Sequence, residues 1–190
     1  MLKNIKENLG NLTTEVRTSI ISGKGTFAKS KISSGTFITT LRGKPLIAED
    51  ANAELCSQLG ISRDDPLQIG DTLFLILDYE SKTINHSCNP NTGIKNQSDL
   101  YAIKDINVDD EVTYDYSTTS SVNDNWIMNC DCKAVICRKK IGNILTIPLK
   151  TLMIYDQLNI FPDYVKQQLR KINQIPRYSI RNIKQKTLAE

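Results

Sequence analysis

Residues 83–91 read TINHSCNPN and hold the single histidine of the chain, His86, beside Asn85 and two residues before Cys88. A histidine between an amide and a thiol can act as a base, ligate a metal or fill a buried structural place. A second cluster, CDCKAVIC, puts Cys130, Cys132 and Cys137 in a C-x-C-x4-C spacing. Tetrahedral zinc takes four ligands, so a zinc site here needs one more from elsewhere. Cys88, Cys56 and His86 are the candidates. The competing reading makes these cysteines small buried hydrophobes, the commonest role of a free cysteine. Three thiols within eight residues shift the balance towards metal.

Two further stretches could do chemistry. SGKGTFA contains Gly23-Lys24-Gly25, and glycine permits positive φ and close backbone approach. The backbone from Lys24 to Phe27 could therefore grip a small cofactor, or the glycines could serve a plain turn. The stretch lacks the third glycine and following helix of a dinucleotide site. DDEVTYDY places Tyr114 and Tyr116 two apart, on the same face of one strand. Such a pair is either an aromatic core contact or two phenols lining a narrow channel, each hydroxyl aimed at a ligand.

The surrounding chain must position these groups. Its 190 residues suit one ordinary domain with a single main core. The stretch EVRTSIISGKGTFAKSKISSGTFITTLRGKPL alternates β-branched and polar residues between glycines, which predicts short strands and tight turns. AEDANAELCSQLG, opening on acids and closing on Gly60, predicts a short helix. PLQIGDTLFLILD, LYAIKDI and DEVTYDY predict further strands. Beyond residue 147, PLKTLMIYDQLNI and PDYVKQQLRKINQI carry apolar residues at helical spacing, each led by proline. The reading is a mainly β body with a helical C-terminal appendix, fraying over its last dozen residues.

Charge is unevenly spread. Residues 1–60 hold 8 Lys/Arg against 5 Asp/Glu, residues 61–131 hold 4 against 13, and residues 132–190 hold 12 against 3. The acidic middle suits a cationic partner, while the basic end reads chiefly as a solvated helix face. Aromatics for base stacking are sparse there, which argues against direct nucleic-acid binding. No apolar run reaches the ~18 residues of a membrane span, and the start lacks the features of a secretory signal. Five cysteines without such a signal point to a reducing compartment, cytoplasmic or, in a eukaryote or infected host, nuclear.

Taken in order, G-x-G, N-H-S-C-x-P-N, D-E-V-T-Y-D-Y and C-x-C-x4-C resemble the SET-domain protein lysine methyltransferases, most of all the small SET proteins of bacteria. The resemblance covers about residues 15–142 and implies a SET fold of several small curved sheets with a C-terminal pseudoknot. It divides the chain into a SET domain at 1–129, with core motifs in 16–116, a post-SET zinc segment at 130–142 and a helical extension at 143–190. It implies S-adenosylmethionine held by the backbone of Gly23, Lys24 and Gly25, with Phe27 nearby, and by Asn85 and His86 largely through main-chain contacts. His86 would then be a cofactor-site residue and not the general base. Cys88 would join Cys130, Cys132 and Cys137 on a structural zinc, leaving Cys56 as the odd thiol. Tyr116 matches the tyrosine that orients the substrate amine, and Tyr114 the position that sets how many methyl groups fit. A tyrosine at 114 implies mainly monomethylation, on a lysine in a basic protein or peptide such as a histone-like tail.

Some residues depart from the family pattern. Leu41 stands where many members carry a channel tyrosine. Lys82, Thr83 and Ile84 precede N-H-S-C in place of an Arg-Phe pair. Met128 replaces an aromatic before the cysteine cluster, with Trp126 a substitute lid, and Lys133 replaces a glycine. Leu41 is the best argument for the alternative function, an inactive SET scaffold serving as a zinc-stabilised interaction module.

Overall fold

Short strands punctuated by glycine dominate the computed structural model, which describes residues 13–48, 57–58, 60 and 65–175. Among the described residues there are twelve strands, three 3₁₀ helices and two α-helices. The strands form four small sheets. Among the described residues no helix is long and apolar enough to cross a membrane. The helix expected over 48–60 falls mostly, and Cys56 wholly, outside the described residues, as do the last dozen residues.

The sheet that organises the site has four strands. β1 (Thr14–Thr18) and β2 (Lys24–Ala28) form a hairpin, with Thr18 opposite Lys24 and Ser19 N–H donating to the Gly23 carbonyl at 3.0 Å. Gly23 has φ +47°, a left-handed value that the turn needs and that glycine adopts at little cost. β10 (Glu111–Tyr114) runs antiparallel to β2 and parallel to the short β7 (Asn85–His86). A parallel pair requires a long crossover. Here residues 87–110 supply it and carry the hairpin of β8 (Thr92–Lys95) and β9 (Asp99–Ala102). The crossover sets Asn85 beside Thr113 and His86 beside Tyr114.

β9 also pairs with β3 (Phe37–Thr40), and a third sheet joins β4 (Gly43–Ile47), β6 (Leu73–Leu77) and β5 (Leu67–Gln68). Ile38, Leu41, Ile94, Leu100, Ile106 and Val112 come from these separate pieces and bury together. Leu73, Leu75 and Leu77, alternating along β6, pack on that core from one side.

The proline-led helices form as expected. α1 (Leu149–Gln157) and α2 (Asp163–Lys171) follow Pro148 and Pro162, which occupy the N-cap positions. Asp163 in the first turn of α2 and Arg170 and Lys171 in its last both oppose the helix dipole favourably. Phe161, Val165 and Leu169 are fully buried in a second core with Leu152 and Tyr155. Gly93 on β8 lets this extension approach, because a Cβ there would lie 2.5 Å from the Ile160 Cβ. Gln168 fastens it further, accepting from Ser121 Oγ and Val122 N–H and donating to Asp71.

DEVTYDY behaves differently from the sequence reading. The strand stops at Tyr114, and Tyr116 opens a 3₁₀ helix, Tyr116–Thr119. Asp115 causes the switch by accepting the Ser117 N–H at 3.1 Å, a local side-chain cap that competes with the sheet ladder.

Candidate active site and metal centre

The G-x-G loop is held from behind by two residues distant in sequence. The Asn85 amide donates to the carbonyls of Ser22 at 3.2 Å and Lys24 at 3.0 Å and to Glu111 Oε1 at 2.7 Å. The other Glu111 oxygen accepts from Ser19 Oγ at 2.8 Å. Gly25 is required there, since a Cβ would fall 2.2 Å from Glu111 Oε1. The Asn85 amide nitrogen is thus engaged in shaping the loop. Lys24 reaches out to Thr18 Oγ1 at 3.3 Å. Phe27 lies three residues further along β2, its ring under the Arg17 guanidinium at 4.4 Å.

Tyr114 and Tyr116 meet with ring centroids 4.8 Å apart, although only the first is in a strand. The Tyr116 hydroxyl donates to the Ile84 carbonyl at 2.9 Å, and its ring stands edge-on to His86 at 5.4 Å. Burial, with the nearby Glu111 charge, pushes the Tyr116 phenol well up. Tyr114 is raised too, again first by burial. Both therefore stay protonated at ordinary pH. Leu41, 1% exposed, shares their core, so the wall it contributes is apolar.

The cysteines converge. Cys88 and Cys130 sulfurs are 3.8 Å apart and Cys130 and Cys137 sulfurs 3.7 Å. Cys88 N–H points at Cys132 Sγ at 3.4 Å. Zn–S bonds of ~2.3 Å in a tetrahedron separate their sulfurs by about 3.8 Å, so these spacings fit the ion. The thiols also show the strain of crowding. Burial drives Cys130 well up, while Cys132, despite burial, is drawn down to about 7 by the N–H groups of Cys88 and Ala134 and by its neighbouring thiols.

His86 competes for the same place. Its ligand atom lies with those of Cys88, Cys130 and Cys132, all within 4.8 Å of one another. The hydrogen bonds assign its role. Tyr116 N–H, which can only donate, points at His86 Nδ1 at 3.2 Å. Nε2 must then carry the proton that faces Cys88 Sγ at 3.3 Å. Burial first and Arg138 second push His86 down to about 3, so it is a neutral donor to the sulfur.

The acidic stretch near the site is used internally. Asp109 pairs with Arg17 at 2.8 Å, and Asp110 caps the Asn107 turn. Glu111 braces the loop, and Asp115, its side chain 1% exposed, pairs with Arg138 at 2.6 Å. The sequence reading offered the acidic middle to a cationic partner; of these four carboxylates Glu111 and Asp115 turn inward, while Asp109 and Asp110, though paired, stay on the surface. Trp126 and Met128 pack with Ile21 against the cysteine cluster.

Sequence reasoning missed three contributors. The Ile84 carbonyl is main chain and leaves no mark on side-chain identity. Glu111 was read only as surface charge, although its place opposite Phe27 in the β2–β10 ladder brings it beside Gly25. Arg138 follows Cys137 directly, and that adjacency was the available signal.

A family model described as the SET domain matches residues 23–117. Histone-lysine N-methyltransferase ASHH3 of Arabidopsis thaliana is 27% identical over 165 residues, covering 80% of this chain and 44% of that protein. The chain thus spans less than half the length of this curated relative. Among solved structures, KRYPTONITE in complex with mCHG DNA and SAH superposes with TM-score 0.51 at 20% identity, over 67% of this chain and 28% of that one. Apo ctPRC2 with mutations in Ezh2 gives 0.50 at 19% identity, over 56% and 15%. The two structures share the fold. The chain belongs to the SET-domain family, with the mainly β architecture and helical extension described above.

Proposed function

We propose that this chain is an S-adenosylmethionine-dependent protein-lysine N-methyltransferase that adds principally one methyl group to a lysine of a basic protein or peptide, a histone-like tail among them. The observation that carries this reading is the Tyr116 hydroxyl facing the Ile84 carbonyl at 2.9 Å, where β7, β10 and the cysteine segment meet. The curated relative ASHH3 is named for the same reaction class.

S-adenosylmethionine supplies, when bound, a methyl group on a positively charged sulfur. The backbone of Gly23, Lys24 and Gly25 and the main chain of Asn85 and His86 would hold it. That division of labour accords with the Asn85 amide nitrogen being engaged with the loop itself. Tyr116 donates its proton to Ile84, so its oxygen keeps only lone pairs for a visitor. An uncharged lysine amine would donate an N–H to that oxygen and aim its own lone pair along the channel. Apolar walls such as Leu41 and the nearby sulfonium charge both favour the uncharged amine. Catalysis is then mainly alignment, which can offset about 7–11 kcal/mol of barrier. Tyr114 narrows the same space, which supports monomethylation. Cys88, Cys130, Cys132 and Cys137 would hold a zinc with no open position, a structural staple beside the donor site.

A radiolabelled methyl-transfer assay on mixed basic proteins tests the proposal. Wild-type protein should label a substrate, and Tyr116→Phe should lose most of that labelling. Buried Leu41 favours a second reading, a non-catalytic scaffold. That reading is supported if folded, zinc-loaded wild type binds no donor by calorimetry and labels nothing.

A further inference from the structure

Asp115 lies between the two phenols in sequence, and its Oδ1 stands 3.6 Å from the His86 Nδ1 at which the Tyr116 N–H points. Its Oδ1 accepts from Arg138 Nη2 at 2.6 Å and Ser117 N–H at 3.1 Å, and its Oδ2 from the Tyr155 hydroxyl at 3.4 Å. Arg138 in turn sends both its N–H and its Nε to Cys88 Sγ, each at 3.4 Å. The three donors come from three parts of the chain: the 3₁₀ turn of Tyr116, the cysteine segment and helix α1. Their side chains are enclosed, Arg138 11% and Asp115 1% exposed, so water cannot stand in for a missing partner.

We propose that Asp115 is the joint through which the cysteine segment and the C-terminal helices set the position of Tyr116, with Arg138 and Tyr155 as positioning residues. The proposal rests on the methyltransferase reading above and deepens it. Tyr116 is the next residue, and Asp115 is the cap that turns the chain from strand to 3₁₀ helix there. The Tyr116 N–H is fixed on His86, so a movement of the 115 carboxylate turns the phenol about that anchor. Displacing a catalytic group by ~1 Å can cost 10²-fold in rate. Arg138 suits the task because its planar fork serves a carboxylate with one nitrogen and the Cys88 sulfur with another, while a lysine offers a single ammonium. The helical extension reaches the turn of Tyr116 through two hydroxyls, that of Tyr155 on Asp115 and that of Tyr164 on the Thr119 carbonyl, and only the first acts through the carboxylate.

The test compares zinc-loaded full-length wild type with Arg138→Gln, Arg138→Lys and Tyr155→Phe. Three quantities are read: kcat and KM, zinc release to a chromophoric chelator, and the Tyr116 ring resonances in tyrosine-labelled protein, assigned with Tyr116→Phe. Tyr155→Phe should lower kcat about 5-fold with zinc release unchanged, as for one lost hydrogen bond. Arg138→Gln should lower kcat and speed zinc release by about 10-fold or more, the usual scale for an outer-shell partner. Arg138→Lys should recover kcat to within about 3-fold while zinc release stays fast, since one ammonium cannot serve both groups. If the single Arg138 variants fail to fold, the Asp115→Asn/Arg138→Gln pair, whose amides can bond each other, takes their place with the same expected loss of kcat. The proposal is overturned if kcat stays within twofold in both Tyr155→Phe and the Arg138 variant, or if the Tyr116 resonances do not move in either. Should wild type transfer no methyl group at all, the proposed function fails, and the resonances still decide whether the joint exists.

Discussion

The Asn85 amide and the Glu111 carboxylate, 26 residues apart, hydrogen-bond at 2.7 Å directly behind Gly25. Loop shape and strand pairing are thereby one construction, because Glu111 belongs to β10 and Asn85 to β7. Adding a methyl at Gly25 must expel Glu111 from Asn85 and Ser19. Gly25→Ala should therefore destabilise by about 1–3 kcal/mol, the cost of overpacking. It should weaken donor binding as well, since the loop backbone moves. Thermal melts and calorimetry check this, and Gly25→Ala/Glu111→Ala should recover part of the stability. A Gly25→Ala protein that melts like wild type would remove Glu111 as the loop's brace.

Tyr116 is a donor held in place, not an acid or base that changes charge. Burial raises its phenol, so it remains protonated as pH climbs through the range where a substrate amine, near ~10.4 in water, loses its proton. Methyl transfer should rise with pH and show no fall from Tyr116 ionisation up to about pH 10. Tyr116→Phe should cut kcat about 100-fold or more while the rising limb keeps its shape, as expected for a lost alignment. A pH–rate profile of both proteins measures this. A falling limb present only in wild type would mean that the phenol ionises during turnover.

Much of this site was readable in the chain because side-chain chemistry marked it. The thiol spacing, the lone histidine beside Asn85 and the tyrosine pair all signal through residue type, and the cysteines do converge. The proline-led helices were legible for the same reason: proline presets the first turn, and apolar residues recur at helical spacing. What escaped depends on position in space. Alternation carried the β10 reading on to Tyr116, because the cap that Asp115 places on Ser117 has no period of its own. The acids 109–115 read as a single face because only the fold turns Glu111 and Asp115 inward against Ser19, Asn85 and Arg138 and leaves Asp109 and Asp110 on the surface.

In the proposed methyltransferase, Tyr114 would set product state through its hydroxyl. Its ring packs on Tyr116 at 4.8 Å and its side chain is buried in the main core. Tyr114→Phe removes one oxygen from the channel wall and no packing carbon, so folding should change little. The expected outcome is a shift from mainly monomethyl-lysine towards di- and trimethyl-lysine, read by mass spectrometry of a peptide over extended reaction times. Trimethyl-lysine as the early main product of wild type would defeat this reading of Tyr114.

His86 and Cys137 are the two candidates for the fourth place around the proposed zinc, and the protons separate them. Tyr116 N–H occupies the lone pair of His86 Nδ1, which leaves Nε2 protonated and facing Cys88. A protonated nitrogen has no lone pair for zinc. Cys137 Sγ, 3.7 Å from Cys130 Sγ, is placed as a thiolate ligand would be. His86→Ala should accordingly keep one zinc per chain and release it about 10-fold faster, as losing an outer-shell donor does. Cys137→Ser should lose most of its zinc and melt earlier, because a closed structural site contributes directly to folding. Metal content by elemental analysis and release rates against a chelator give the answer. Zinc retained by Cys137→Ser and absent from His86→Ala would reverse the assignment and make the histidine the ligand.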